Sequence, residues 1–215
     1  MTPLVSVGAA TRLLFIGDSI TSWGRESDPE QVGHGYVRMI RDFLTARHPA
    51  DAPTVINRGV GSDDIQCLQT RWQRDVLALA PDVVSVLIGT NDVAHRLLLD
   101  ETWRTLQIFE DGYRDIIERT RRALPNTTIV LCEPPALDFP DDPHANAELA
   151  PHVEAVQRVA ATTGVACVVE LYRAFAYARA ACPDIAWMQD LAHPSISGHA
   201  LIAETWLAAT GLRHP

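Results

Sequence analysis

The sequence has 215 residues, 47% hydrophobic and 21% charged, a composition that predicts one globular domain over residues 1–215. Its 18 basic and 27 acidic residues give a net charge of −9, which argues against nucleic acid or an anionic membrane as a partner. No apolar run reaches the roughly 20 residues of a membrane-spanning helix. The first ten residues lack the features of a secretory signal, so we expect a cytoplasmic protein, although a trimmed secreted chain would look the same.

Short apolar runs rich in β-branched residues alternate with longer segments of helical period, and the runs are typical of buried parallel strands. The predicted strands are Arg12–Ile16, Thr54–Asn57, Val83–Ile88, Thr127–Cys132 and Val165–Val169. This alternation predicts an α/β fold, a three-layer α/β/α sandwich of flavodoxin-like type with a central parallel sheet of about five strands. The proline-rich stretch Glu133–Pro143 interrupts the pattern and is expected to be a loop, either over the site or on the plain surface.

Three residues from opposite ends of the chain have the chemistry of a hydrolytic triad. Ser19 follows the first predicted strand, where functional groups gather in folds of this type. A serine hydroxyl becomes a good nucleophile when an imidazole removes its proton, and the imidazole needs an acid that fixes its tautomer. Asp190 precedes His193 by three residues, so a single turn can bring the carboxylate to the imidazole.

The order and approximate spacing of four segments resemble those of the SGNH hydrolases, the GDSL-type esterase and lipase superfamily. The segments are Gly17–Ile20, Asn57–Gly59, Gly89–Asp92 and Asp190–Pro194. The resemblance covers nearly the whole chain and is greatest to the small-acyl and carbohydrate esterase branch. It implies a triad of Ser19, Asp190 and His193. It also implies an oxyanion hole made by the amides of Ser19 and Gly59 and the side-chain amide of Asn91.

The expected reaction is hydrolysis of carboxylic esters through an acyl-enzyme. We expect a small-molecule substrate, a short-acyl and above all acetyl ester of a carbohydrate or another small alcohol, and no metal or organic cofactor. Two alternatives stay open: a lipase or thioesterase for longer acyl chains, and a protein that binds acylated sugars without turning them over. A two-metal phosphoesterase is disfavoured, because the first strand is followed by one acid and a serine rather than by clustered metal ligands. The sequence carries no signal for an oligomeric state.

Two tryptophans and a histidine are candidates for contacting the substrate. Trp23 follows the nucleophile segment and Trp187 precedes Asp190, and sugar rings stack well on indole faces. Core packing is the alternative for both tryptophans. His95 lies just after Asn91 and is a candidate to line the mouth of the site.

Three further polar residues near these segments are expected to have structural roles. Asp18 and Asp92 are predicted to hydrogen-bond the backbone of their own turns and so to hold the neighbouring residues in place. His199 is predicted to pack or hydrogen-bond near the start of the last helix.

Overall fold

A computed structural model describes residues 4–5, 7–99, 104–137 and 145–213 of the chain. It contains one parallel sheet with the strand order β2-β1-β3-β4-β5. The strands are β1 (Arg12–Gly17), β2 (Thr54–Gly59), β3 (Val83–Leu87), β4 (Thr128–Cys132) and β5 (Cys167–Val169). All five predicted strands are confirmed, with ends that differ from the prediction by at most two residues.

Helices cover both faces of the sheet. In the described residues they are α1 (Ser19–Ser22), α2 (Tyr36–Arg47), α3 (Ile65–Asp75), α4 (Thr90–Leu99), α5 (Leu106–Ala123), α6 (Ala145–Thr163), α7 (Leu171–Ala181) and α8 (Ile196–Ala209), with two short 3₁₀ helices at Arg25–Ser27 and Leu77–Leu79. Helices α2, α7 and α8 share one apolar cluster with the sheet, and α3, α5 and α6 share another. The predicted α/β/α sandwich is therefore confirmed.

The sequence of β1 shows why its apolar run is continuous. Leu13 and Phe15 join the cluster beneath α2 and α8, whereas Leu14 and Ile16 join the cluster beneath α3 and α5. All four side chains are fully buried. A strand covered on both faces needs apolar residues at successive positions rather than at alternate ones.

The strand order places a crevice between β1 and β3. The chain leaves β1 towards β2 on one side and leaves β3 towards β4 on the other, and the carboxyl ends of two such strands form the usual ligand site of an open α/β sheet. Ser19 begins α1 directly after β1, and Asn91 lies in the first turn of α4 after β3. The two candidate residues therefore meet at this switch point.

The predicted loop Glu133–Pro143 is described in part. The first part of the predicted loop, residues 133–137, has no helix or strand, and the amide of Glu133 donates to the carbonyl of Val169 at 3.0 Å. Residues 138–143 of that loop lie outside the described residues.

Among the described helices none combines the length and the apolar character needed to cross a membrane.

Candidate active site

Ser19, His193 and Asp190 form a continuous hydrogen-bonded chain. Ser19 Oγ lies 2.8 Å from His193 Nε2, and His193 Nδ1 lies 2.9 Å from both carboxylate oxygens of Asp190. A proton on Nδ1 donates to Asp190, which leaves Nε2 as the acceptor for the serine hydroxyl. The structure thus brings together the three residues that the sequence predicts for the triad.

A local turn explains how Asp190 reaches the histidine. Asp190 Oδ1 accepts hydrogen bonds from the amides of Ala192 at 3.0 Å and His193 at 2.9 Å. Although partial burial alone would raise the pKa of Asp190, these amides and the imidazole lower it below its ordinary value. The acid is therefore held as a carboxylate, the form that can stabilise an imidazolium at His193.

The nucleophile segment turns sharply after β1. Gly17 leaves no room for a side chain, because a Cβ there would lie 2.0 Å from the carbonyl oxygen of Leu87. Asp18 caps α1 by accepting the amide of Ile20 at 2.9 Å, as the sequence predicts. Ser19 is the first residue of this short helix, and its hydroxyl lies at the crevice rather than in the core.

Asn91 lies beside the loop that follows β2. Its Nδ2 donates one hydrogen to the carbonyl of Asp63 at 2.8 Å. A side-chain amide carries two hydrogens on this nitrogen, so the second can serve another acceptor. This bond fixes the orientation of the amide at the start of α4.

Gly59 does not match its predicted role as a free oxyanion donor. Its single amide hydrogen is donated to Asn57 Oδ1 at 2.8 Å in a buried bond. A glycine is needed here for packing, because a Cβ would lie 2.2 Å from the amide nitrogen of Ser22. Asn57 is itself held by donating to the carbonyls of Thr21 and Val32, both at 2.7 Å. The prediction of Gly59 as an oxyanion donor is therefore corrected.

Ser62, which the sequence analysis passed over, has the features of a backbone donor. Its φ of 63° lies in the left-handed region, which a non-glycine residue adopts at a cost of about 1 kcal/mol. Within the described part of the chain its amide donates to no acceptor, and the residue is exposed. The signal in the sequence for this donor is that Gly61 and Ser62 come directly before Asp63 and Asp64, which lead into α3.

Arg71 anchors the loop that carries Ser62. Its guanidinium donates to Asp63 Oδ2 at 2.6 Å, to the carbonyl of Arg58 at 2.7 Å and to that of Gly17 at 3.0 Å. The amide of Val60 adds a bond to the carbonyl of Gly17, at 3.0 Å. Since Asn91 binds the carbonyl of Asp63, the loop 60–63 is fixed between the nucleophile turn and the first turn of α4.

Two buried carboxyls, of Asp18 and Asp92, lie at the starts of the two helices that flank this crevice. Burial raises the pKa of Asp18 to about 7 and that of Asp92 to about 7, and the proximity of Asp18 contributes to the rise at Asp92. Asp92 Oδ1 accepts the amide of Ile65 at 3.4 Å, at the start of α3, whereas the sequence predicts a bond within its own turn. Oδ2 of both carboxyls is buried without a hydrogen-bond partner among the described residues.

The aromatic candidates lie at different distances from the triad. The Trp23 ring lies 5.7 Å from the His193 ring and 4.8 Å from the His199 ring, measured between centroids, so Trp23 borders the general base. His199 is fully buried and its Nδ1 accepts the amide of Tyr36 at 3.2 Å, which confirms its predicted packing role. His95 lies one helical turn after Asn91 on α4 and is half-buried.

Comparison with known proteins identifies the family. Residues 15–201 match the model of the GDSL-like lipase/acylhydrolase family. The chain belongs to this family. As a GDSL-like acylhydrolase it is a carboxylic ester hydrolase, and the matched range contains every residue of the triad.

Relatives of this GDSL-like acylhydrolase share its full length. An acetylxylan esterase from Geobacillus stearothermophilus is 29% identical over 96% of this chain and 97% of its own. A crystal structure of that esterase has a TM-score of 0.84 at 30% identity, covering 96% and 97% of the two chains. A GDSL-like lipase from Parabacteroides merdae has a TM-score of 0.89 at 31% identity, covering 97% and 99%. The fold and the chain length thus agree with those of known esterases.

Proposed function

We propose that this protein is a serine esterase that removes acetyl groups from carbohydrates, with Ser19 as nucleophile, His193 as general base and Asp190 as the acid of the triad. The observation that carries the proposal is the bond of 2.8 Å from Ser19 Oγ to Nε2 of an imidazole already held by a carboxylate. The acetylxylan esterase relative supports the substrate class. Structures of that relative include catalytic mutants at a serine and at an aspartate. They support the roles of Ser19 as nucleophile and Asp190 as the acid of the triad.

The geometry leads to a two-step reaction. Ser19 Oγ attacks the ester carbonyl carbon while its proton moves to His193 Nε2, and Asp190 stabilises the imidazolium. The tetrahedral intermediate collapses when the sugar oxygen leaves with the proton from Nε2, which leaves an acetyl group on Ser19. A water molecule then gives its proton to Nε2 and attacks the acetyl carbon. Acetate departs and Oγ recovers the proton.

The oxyanion of both intermediates needs hydrogen-bond donors at the same place. The amide of Ser19 and the second Nδ2 hydrogen of Asn91 are two donors in this proposal. The third is the amide of Ser62, because the amide of Gly59 is already donated to Asn57. The loop 60–63 lies between the turn after β1 and the start of α4, the position that a shared acceptor requires.

The openness of the triad supports a bulky alcohol and a small acyl group. The side chains of His193 and Asp190 are 32% and 48% exposed, and Leu191 between them is exposed as well. A polymeric or oligomeric sugar can approach such a surface without entering a tunnel. The Trp23 ring lies 5.7 Å from the His193 ring, so it borders the reacting centre.

The test is hydrolysis of acetylated xylo-oligosaccharides and of p-nitrophenyl acetate, butyrate and octanoate by the wild type and two serine variants. We expect acetyl esters to be preferred and Ser19→Ala to lose activity about 10⁴-fold or more, as removal of a triad nucleophile does. Ser197→Ala changes an exposed serine on α8 and should keep wild-type activity. Full activity of Ser19→Ala would overturn the mechanism, and preference for octanoate would overturn the substrate class.

A further inference from the structure

A cavity lies on the segment that connects α7 to the acid and the base of the triad. It has a volume of about 390 Å³ and is lined by Arg179 of α7 and by residues 183–188. Trp187 forms part of its wall, and the indole N–H donates to the carbonyl of Cys182 at 3.1 Å, which fixes the ring. Trp187 also packs against the apolar cluster beneath α8, so it is half-buried. The cavity therefore has a fixed aromatic wall.

The backbone of this wall is paired with the segment that carries the general base. Met188 and Pro194 form an antiparallel bridge, and the amide of Gln189 donates to the carbonyl of His193 at 2.8 Å. The amide of Ser195 donates to the carbonyl of Trp187 at 3.0 Å. The wall thus has a fixed position relative to His193, and so would a molecule bound in the cavity.

The side chains that line the cavity combine one aromatic ring with groups of both charges. Asp184 presents an exposed carboxylate, and the guanidinium of Arg179 is held by donating to the carbonyl of Leu137, in the segment after β4, at 3.0 Å. A sugar ring has apolar C–H faces that stack on an indole and hydroxyl groups that donate to a carboxylate. A fatty acyl chain offers no hydrogen-bond donor to the Asp184 carboxylate. The lining favours a neutral carbohydrate.

We propose that this cavity is a carbohydrate subsite, in which a sugar ring next to the acetylated one stacks on Trp187 and donates a hydroxyl hydrogen to Asp184. The inference rests on the proposed function, since it assigns a place to the alcohol part of the ester. Its consequence is a preference for oligosaccharides long enough to reach from Ser19 to the cavity. The acetyl group itself makes no contact there.

Direct binding tests the subsite without any catalytic step. We would titrate unacetylated xylotetraose into the wild type, Trp187→Ala, Asp184→Ala and the control Tyr177→Ala by calorimetry. Loss of one stacking platform is expected to weaken binding about tenfold. Tyr177 is an aromatic residue of α7 that is 75% exposed and outside the lining, so its variant should bind as the wild type does. Equal affinity of Trp187→Ala and wild type, or no binding to the wild type, would overturn the subsite.

A folding control keeps the test decisive. Trp187→Phe retains an aromatic face but lacks the N–H that donates to Cys182, so it should bind better than Trp187→Ala. Thermal unfolding monitored by circular dichroism would show whether each variant is folded at the titration temperature. If Trp187→Ala is unfolded there, Asp184→Ala decides: wild-type affinity in that variant would overturn the proposal.

Kinetics separate the failure of this inference from failure of the proposed function. For the wild type we expect kcat/KM to be higher for acetylated xylotetraose than for an acetylated methyl xyloside, and Trp187→Ala should lower that ratio about tenfold. If the wild type hydrolyses both and Trp187→Ala keeps the ratio, the subsite is wrong and the esterase function stands. If the wild type hydrolyses p-nitrophenyl acetate but no acetylated sugar, the proposed substrate class is wrong, and the subsite falls with it.

Discussion

At the scale of single residues, the contact between the acid and the base of the triad follows from short sequence spacing, whereas the oxyanion donors do not. Asp190 and His193 are three residues apart and meet through one turn, so the sequence contains what their contact requires. The amide of Gly59 is different, because its acceptor is chosen by the rotamer of Asn57 and by the packing of Ser22. The pattern of residue types predicts neither the rotamer of Asn57 nor the packing of Ser22. The same holds for Ser62, whose conformation is set by the anchors on either side.

The role of the Ser62 amide can be tested by changes that alter its φ preference. Ser62→Gly keeps the amide and adopts the left-handed conformation easily, so it should retain activity and gain about 1 kcal/mol of stability. Ser62→Val disfavours that conformation and should lower kcat by about 10²-fold or more with little change in KM. Steady-state kinetics on p-nitrophenyl acetate would measure both. Ser62→Ala removes only the hydroxyl, and a large loss of kcat in that variant would contradict a backbone role.

The buried carboxyl of Asp92 should make stability depend on pH. The folded pKa of about 7 exceeds the ordinary value of 3.8, so only the unfolded chain ionises between these values. Its stabilising contribution is therefore full below pH 3.8 and is lost as the pH rises to about 7. Asn cannot ionise, so Asp92→Asn should become more stable relative to wild type between pH 4 and pH 8, by up to about 4 kcal/mol.

Urea unfolding at the two pH values would measure the effect of Asp92→Asn. Asp111→Asn on the exposed surface of α5 is the control, and its difference from wild type should change by less than about 0.5 kcal/mol. The same small change for Asp92→Asn would contradict a raised pKa.

At the scale of elements, strand identity is predictable and strand ends are not. The apolar run at Val165–Val169 predicts β5, but only Cys167–Val169 form the strand, paired with Val130–Cys132 of β4. The amide of Ala166 still donates to the carbonyl of Ile129, at 2.9 Å. The end of a strand depends on how far its neighbour extends, which is a property of two segments rather than one.

Helix α3 offers a test of how a helix positions a loop. Arg71 is 9% exposed and binds two acids and two backbone carbonyls, whereas the side chain of Arg74 is 74% exposed and binds one acid, Asp75, among the residues described. Arg71→Met leaves Asp63 without its ion-pair partner and two backbone carbonyls without their donor, so the free energy of unfolding should fall by about 3–5 kcal/mol. Arg74→Met should cost less than about 1 kcal/mol. Equal shifts of the urea midpoint in the two variants would contradict the anchoring role of Arg71.

At the scale of the whole molecule, the sheet separates two apolar clusters that share its strands. Ile40 of α2 and Ile116 of α5 are fully buried in different clusters. Each Ile→Val change should cost about 0.5–1.5 kcal/mol. Because the two sites lie on opposite faces, the double variant should equal the sum within about 0.5 kcal/mol.

Urea unfolding of the two single variants and the double variant measures this sum. The single domain expected for residues 1–215 predicts one transition in every case. A coupling above about 1 kcal/mol would contradict independent faces, and two separate transitions would contradict a single domain.

The bond between Ser19 and His193 joins residues 174 positions apart, one just after β1 and one just before the last helix. A nascent or refolding chain can complete most of its sheet while these two ends are still separate. Circular dichroism would register that early assembly, but ester hydrolysis would begin only when α8 docks. The onset of turnover therefore reports the docking of α8, and the delay between the two signals measures how long that docking takes after the sheet has formed.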